Sequence, residues 1–234
     1  MNKAEIEEIN VLSAGAIKPG LVKVVDAFQR VTSRRVEIAF ATAPTILNRI
    51  ATAEDLDVVI APPAVLETWA NAGKASAVDC VTVGRIGIGV MVRDGVPHPK
   101  IGTVDTFKQA LISADALVYN QASTGIYLEE LFEQLAIAQQ LRTKTVRYPD
   151  AAAVLDHIGK STRREIGLGA TTVIIEGQNK GLQFVGPLPG EIQNYTTYAA
   201  TVVSAPTASD AGRQFIRFLK QPMAKDALAA AGIQ

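Results

Sequence analysis

The sequence predicts an α/β protein folded as two lobes, each a mixed sheet flanked by helices. Three observations predict it. Short apolar runs alternate with amphipathic helical stretches along the whole chain. The 234 residues are long for one domain and suit two small lobes, each able to bury a core. No low-complexity linker or charge block separates the halves, so the chain is expected to cross between lobes as extended strands. The expected crossings lie near 81–89 and 185–198. That assigns 1–84 and 193–234 to lobe 1 and 85–192 to lobe 2.

The elements follow from local pattern. A strand at Ile9–Leu12 leads to a helix with Pro19 in its first turn, carrying Leu21, Val24, Val25, Phe28 and Val31 on one face. Strand Val36–Phe40 precedes a helix with Ile46, Leu47 and Ile50. Strand Asp57–Ile60 ends in Ala61-Pro62-Pro63 and leads to a helix through Leu66 and Trp69. A long β-rich stretch, Val81–Arg93, is followed by a helix with Val104, Phe107 and Leu111. Strand Ala116–Tyr119 runs through Asn120–Gly125 into a helix with Tyr127, Leu128, Leu131, Phe132 and Leu135. A strand near Thr143–Tyr148 precedes a helix at Ala151–Ile158, and strand Glu165–Gly169 ends at Ala170-Thr171-Thr172. Leu182–Leu188 and Tyr195–Val203 are β-rich. Two helices close the chain, one through Phe215–Leu219 and one from Pro222 to Ala231.

Composition excludes several classes. Lys+Arg and Asp+Glu are both 23, so no basic surplus exists to hold nucleic acid. Any bound anion must be held by local dipoles and a few placed charges. The single Cys80 excludes an intramolecular disulfide and a cysteine-rich metal site, and it reads as a buried thiol. The longest apolar run, Ile86–Val92, is too short to span a bilayer, so no membrane insertion is expected. The opening MNKAEIEEIN has no apolar segment of the secretory kind. The expected compartment is periplasmic if a signal has been removed upstream and cytoplasmic otherwise.

One local grammar recurs: an apolar strand ends, a small or hydroxylated residue follows, and a helix begins. It occurs at Ser13-Ala14-Gly15, Thr42-Ala43-Pro44, Ser123-Thr124-Gly125 and, more weakly, Asp150-Ala151. In a parallel α/β sheet, ligands bind at the carboxyl ends of strands. Helix starts there present N–H groups and partial positive charge, and a hydroxyl adds a donor. Any one of these hydroxyls alone reads as an ordinary N-cap; the repetition after strands points to an anion.

Arg85 interrupts the apolar run VTVGRIGIGV. Its guanidinium reads either as a bidentate clamp on a carboxylate or oxyanion or as an edge-strand arginine reaching solvent. Tyr127, Tyr195 and Tyr198 read as half-buried packing residues, with a phenol donor to a ligand as the alternative. His98, in VPHPK, and His157 lack the partners a zinc site needs. No GxSxG elbow, Walker loop or dinucleotide fingerprint is present, so no cofactor, metal or catalytic residue is assigned. Asp57 reads as a strand-end structural residue, and Glu129, Glu130 and Glu133 as a solvated helix face.

The order of elements and several segments resemble type II periplasmic solute-binding proteins, specifically the molybdate-binding-protein-like branch. The segments are VLSAGAIKP, FATAPTILNRIA, DLDVVIAPPAVLETWANAGK, VGRIGIGVMVRDG, YNQASTGIYLEELFEQL and FIRFLKQPMAKDALAAAGI, which together span nearly the whole chain. The resemblance implies an oxyanion or carboxylate held by hydroxyls and backbone N–H groups at strand–helix junctions. The matching positions are Ser13 and Ala14, Thr42 and Ala43, Ala122 and Ser123, and the Asp150-Ala151 turn; Arg85, Thr124 and Thr171 join them as candidate ligand-binding residues. It also implies an ABC transporter permease as partner, and the chain is expected to be monomeric.

Two departures shift the expected ligand. Where molybdate binders usually carry a tyrosine after the strand, this chain has Ala170 and Thr171. Arg85 is a cation that neutral-donor oxyanion sites do not need. Both favour an organic acid. Some members of the branch resemble aconitate isomerases, which keeps an enzyme on a small tricarboxylate as the alternative function. An effector-sensing lobe of a transcription regulator shares the fold but would need a DNA-reading module, which this sequence does not show.

Overall fold

The computed structural model describes residues 8–49, 55–76, 79–204 and 210–234. The chain divides into two compact units, Met1–Arg85 with Thr196–Gln234, and Ile86–Tyr195. It leaves the first unit within one long strand, Val81–Arg93, and returns within another, Tyr195–Val202. Ile50, expected on the second helix, and residues 1–7 lie outside the described residues.

In the first unit, β1 (Glu8–Ala14) runs parallel to β2 (Arg35–Ala41) and β3 (Val58–Ala61). β9 (Tyr195–Val202) lies antiparallel to β3. The helices are α1 (Lys18–Thr32), α2 (Ala43–Asn48), α3 (Pro63–Asn71), α9 (Asp210–Leu219) and α10 (Pro222–Ala229). Each strand begins or ends within two residues of its expected bounds, because apolar alternation sets the run and the flanking small residues set its end.

α1 buries Leu21, Val24, Val25 and Phe28 on one stripe. Phe28 meets Phe215 and Phe218 of α9 edge-on, with ring centroids 5.2 and 5.3 Å apart, a geometry that suits the aromatic quadrupoles. Val31, expected on the same stripe, is instead 63% exposed. It falls at the rim of the face in the last turn, just before Ser33 adopts the left-handed conformation that ends the helix. Asp57 anchors the start of β3: its carboxylate accepts from the Asn10 amide at 2.9 Å, and its own N–H donates to Asn10 O.

The last residues are built into this unit. Gln234 and Arg85 exchange two backbone hydrogen bonds of 2.7 and 3.0 Å, and Ile233 is buried. A Cβ on Gly20 or Gly84 would come within 2.5 Å of Ile233, so glycine makes the room that this side chain fills.

In the second unit, β4 (Val81–Arg93) pairs antiparallel with β7 (Glu165–Ala170) and β8 (Leu182–Pro187). β5 (Ala116–Asn120) is parallel to β7 and to β6 (Thr145–Tyr148). Period-2 alternation divides the core between the two faces of this sheet. Ile88, Val90, Val92, Leu117, Tyr119, Ile166 and Leu168 pack with α4 (Val104–Ser113) and α5 (Ser123–Gln134). Met91 and Val118 point the other way, to α7 (Ala151–Lys160) and α8 (Thr171–Gly177).

Two helices here were not expected: α6 (Ala138–Leu141) and α8. α6 is four residues long and runs into a 3-10 turn at Arg142–Lys144, so the strand expected from Thr143 starts at Thr145. The reason is Lys144. Its ammonium donates to the carbonyls of Ile112 and Ala114, closing the end of α4 where a cation suits the helix dipole.

α7 is pinned to the sheet by a hydrogen-bonded chain. Tyr148 Oη lies 2.8 Å from His157 Nδ1, and His157 Nε2 lies 2.8 Å from Oε2 of the buried Glu165. His157 therefore bridges a strand end to a buried carboxylate and satisfies one of its oxygens, with Arg163 3.7 Å from the other. Removing the imidazole leaves that acceptor poorly satisfied. His157→Ala is expected to lower the unfolding free energy by about 2–3 kcal/mol, and Tyr148→Phe by about 1 kcal/mol. Urea denaturation followed by circular dichroism measures both; equal, negligible changes would contradict a role for the chain.

Candidate functional site

In each unit the parallel strands present their carboxyl ends at one edge. In the first, Ser13 pairs in register with Phe40 and Ile60, and Ala14 with Ala41. The junctions Ala14-Gly15, Ala41-Thr42-Ala43 and Ala61-Pro62 therefore lie side by side. A 3-10 turn over Gly15–Ile17 runs directly into α1, α2 begins at Ala43 and α3 at Pro63. In the second unit, Asn120 pairs with Tyr148, and β7 runs parallel to β5. The starts of α5, α7 and α8 follow these three strands at one edge.

A helix start leaves N–H groups that lack intrahelical acceptors. How each start treats them distinguishes capping from ligand binding. α4 is closed by its own residues: Thr103 accepts from Thr106 N at 3.2 Å, and Thr106 reciprocates to Thr103 N at 3.0 Å. α7 is closed by Asp150, whose carboxylate accepts from Ala153 N at 2.9 Å. Among the described residues, no side chain caps the 3-10 turn at Gly15, or α2, α5 or α8. The cap positions there are Ala14, Thr42, Ala122 and Ala170.

Hydroxyls nevertheless stand at these uncapped starts. Ser123 is exposed, and Thr42, Thr124 and Thr171 are half-buried. Thr42 Oγ1 lies 2.9 Å from Thr45 Oγ1 rather than on a backbone N–H. Exposed or half-buried hydroxyls at the positive end of a helix are groups of the kind that can meet negative charge without any net protein charge.

The other expected residues fall differently. Ser13 is fully buried, and its hydroxyl donates to Ala14 O at 3.3 Å; at this junction Gly15 and Ala16 are more accessible than Ser13 or Ala14. Ala151 starts a helix that already carries the Asp150 carboxylate, which competes with an incoming anion. Arg85 is exposed between the buried Gly84 and Ile86, as alternation on a strand dictates, and lies apart from the helix starts in sequence and element. Tyr127 spends its phenol on Ile192 O at 2.9 Å. Tyr195 is exposed, whereas Tyr198 is buried and its phenol is pushed up to about 12 by that burial. His98 is exposed and bonded to Gln183, and Cys80, read as buried, is exposed.

Lys18 was not singled out by sequence. It occupies the first turn of the helical segment that begins at Gly15, where the helix dipole disfavours a cation. Its ammonium lies 5.6 Å from the ring centroid of Phe40, at the carboxyl end of the neighbouring strand. The signal was available: a lysine directly before the N-terminal proline is on the wrong end of the helix for stability. Among the described residues, no cluster of three or more His, Cys, Asp or Glu is placed to hold a metal ion, and no helix is long and apolar enough to cross a membrane.

A family model described as bacterial extracellular solute-binding protein matches residues 9–234. Aconitate isomerase from a Pseudomonas species is 28% identical over 236 aligned positions, covering 98% of this chain and 88% of that protein. The periplasmic molybdate-binding protein of Azotobacter vinelandii superposes with a TM-score of 0.78 at 17% identity, covering 97% of this chain and 98% of that one. L-phospholactate-bound PEB3, a protein of Campylobacter jejuni, superposes at 0.75 and 14% identity, over 96% and 98%. These likenesses establish the two-lobed α/β fold of type II periplasmic binding proteins.

Gly125 fixes the start of α5 against β5. A Cβ there would lie 1.8 Å from the Asn120 carbonyl oxygen, a backbone atom that cannot swing away. Gly125→Ala is expected to cost about 3 kcal/mol or to shift the α5 start. Gly102→Ala, where a Cβ meets nothing within 4 Å, is expected to be near neutral. Thermal unfolding of both variants measures the contrast; matching midpoints would contradict the tight junction.

Proposed function

The chain belongs to the bacterial extracellular solute-binding protein family, and from that premise we propose that it captures a small anion, an organic carboxylate or an oxyanion, at helix starts that follow the strand ends. The carrying observation is the contrast in capping. α4 and α7 are closed by their own side chains, whereas the Gly15 turn, α2, α5 and α8 are not. α3, α6 and α10 lack side-chain caps too, so it is the missing cap together with the place at a strand end that gives these starts donors to offer an anion.

Thr42, Ala43, Ser123, Thr124 and Thr171 are the principal donors in this proposal, through hydroxyls and backbone N–H groups. Ser13, Ala14 and Ala151 contribute backbone and packing at the same edges. Lys18 supplies a positive charge at the first unit's edge. Arg85 is proposed as the partner of a further carboxylate, which would separate organic acids from tetrahedral oxyanions. Support for the ligand class comes from the names of the relatives, which include proteins of molybdate, L-phospholactate and aconitate. Delivery to an ABC transporter permease, a periplasmic location and a monomeric state are the corresponding proposals for partner, place and assembly.

A second function, isomerisation of a small tricarboxylate, is favoured by one observation, the 28% identity to aconitate isomerase over 98% of this chain. It needs a base beside an acidic C–H. Tyr127 is a poor choice, since its phenol is already bonded to Ile192 O and burial pushes it up.

Titration calorimetry with molybdate, sulfate, phosphate and trans-aconitate is expected to give saturable binding for at least one of them. Ser123→Ala is expected to cost about 1 kcal/mol of affinity, one neutral donor lost. Lys18→Gln is expected to weaken binding about fivefold while raising the unfolding midpoint, because a cation leaves a helix start. Arg85→Ala is expected to weaken trans-aconitate about tenfold and leave molybdate unchanged. Unaltered affinities in all three variants would contradict the site. Conversion of cis- to trans-aconitate in an absorbance assay would replace the receptor reading with the isomerase.

A further inference from the structure

Resting on the anion site just proposed, the geometry of the second unit points to two residues that hold its ligand helices in place without touching the ligand. Tyr127 lies four residues after Ser123 on α5, on the same face of the helix. Its phenol donates to Ile192 O at 2.9 Å. The next residue, Gln193, applies its side-chain amide to β4 as if it were a strand: Ile88 N donates to Gln193 Oε1 at 2.8 Å, and Gln193 Nε2 donates to Ile88 O at 2.9 Å. Asn194 N also donates to Gln193 Oε1, at 3.0 Å, which fixes the amide's orientation.

Ile88 is a node. Its carbonyl accepts from Leu188 N as well, at 3.1 Å, and it stands in register with Ala170, the residue before α8. One continuous set of contacts therefore runs from the start of α5, through Tyr127, Ile192 and Gln193, to Ile88, and across the ladder to the start of α8. Gly87 keeps the path clear, since a Cβ there would press to 3.2 Å on the Gln193 amide and on the Tyr195 ring. The chain enters this unit at Ile86 and leaves it at Tyr195, so the same contacts abut both of its crossings.

We infer that Tyr127 and Gln193 are positioning residues that lock the first turns of α5 and α8 into one arrangement, so that anion occupancy at Ser123–Thr124 is felt at Thr171 and at the crossing segments. A rigid link of this kind makes two sets of donors act as one, because ordering one first turn removes part of the cost of ordering the other.

The test is hydrogen–deuterium exchange of the full chain with and without trans-aconitate, with molybdate in parallel. In the wild type, ligand is expected to slow exchange at 123–127, and also at 86–89 and 171–174. In Tyr127→Phe, which removes one oxygen and keeps the ring, slowing at 123–127 is expected to persist. Slowing at 86–89 and 171–174 is expected to fall away, with affinity weakened about fivefold. Gln193→Ala is expected to give the same split. Identical ligand-dependent slowing at all three segments in wild type and variants, with affinity unchanged, would overturn the link while leaving the anion site standing. Absence of slowing at 123–127 in the wild type with either probe would remove the site itself, and the link with it.

Discussion

A helix that begins where a parallel strand ends has amide hydrogens that no carbonyl of its own can reach. The proposed function turns on that constraint. The net charge is zero, so negative charge must be met by local dipoles rather than by a basic surface. Strand ends aligned by register bring several helix starts to one edge in each unit. Where a serine, threonine or aspartate closes a start internally, as at α4 and α7, the polarity is consumed. Where no side chain caps the start, as at the Gly15 turn, α2, α5 and α8, it is not consumed in that way.

The packing exists to hold those starts still. Ridge-like aliphatic faces on α1, α4, α5 and α7 press the helices onto the two sheets, and glycines are spent at the closest approaches. Gly125 lets the Asn120 carbonyl sit against the first turn of α5, and Gly20 and Gly84 receive Ile233. The Tyr148–His157–Glu165 chain and the Lys144 contacts with Ile112 and Ala114 close polar groups that the sheet and helix ends would otherwise strand. They are the rigid frame that a site made of backbone donors requires, since a backbone N–H has no rotamer with which to compensate for a misplaced helix.

Much of the fold was legible in the sequence because periodicity reports burial directly. Every long amphipathic run became a helix and every alternating run a strand. What escaped was short or set by tertiary contact. α6 has too few residues to show a period. α8 begins in Thr171-Thr172, which reads as strand or turn until the sheet register places it. Val31 obeys the helical spacing but falls off the packed rim. The candidate site was legible as a grammar of small and hydroxylated residues after strands, yet the sequence does not show which hydroxyls are accessible. Ser13 alternates inward on its strand, opposite to what its polarity alone suggests, whereas Arg85 alternates outward as its charge suggests. Lys18 reads in the sequence as an ordinary residue before a helix-starting proline; only the fold brings its ammonium over the Phe40 ring.

The central claim, that uncapped helix starts are the anion's partners, is most directly tested by backbone amide chemical-shift mapping during titration with trans-aconitate and with molybdate. The largest shifts are expected at Gly15–Lys18, Thr42-Ala43, Ser123–Gly125 and Thr171-Thr172, with the self-closed start of α4 at Val104 unmoved. Shifts spread evenly over all helix starts, or concentrated at α4, would contradict the account.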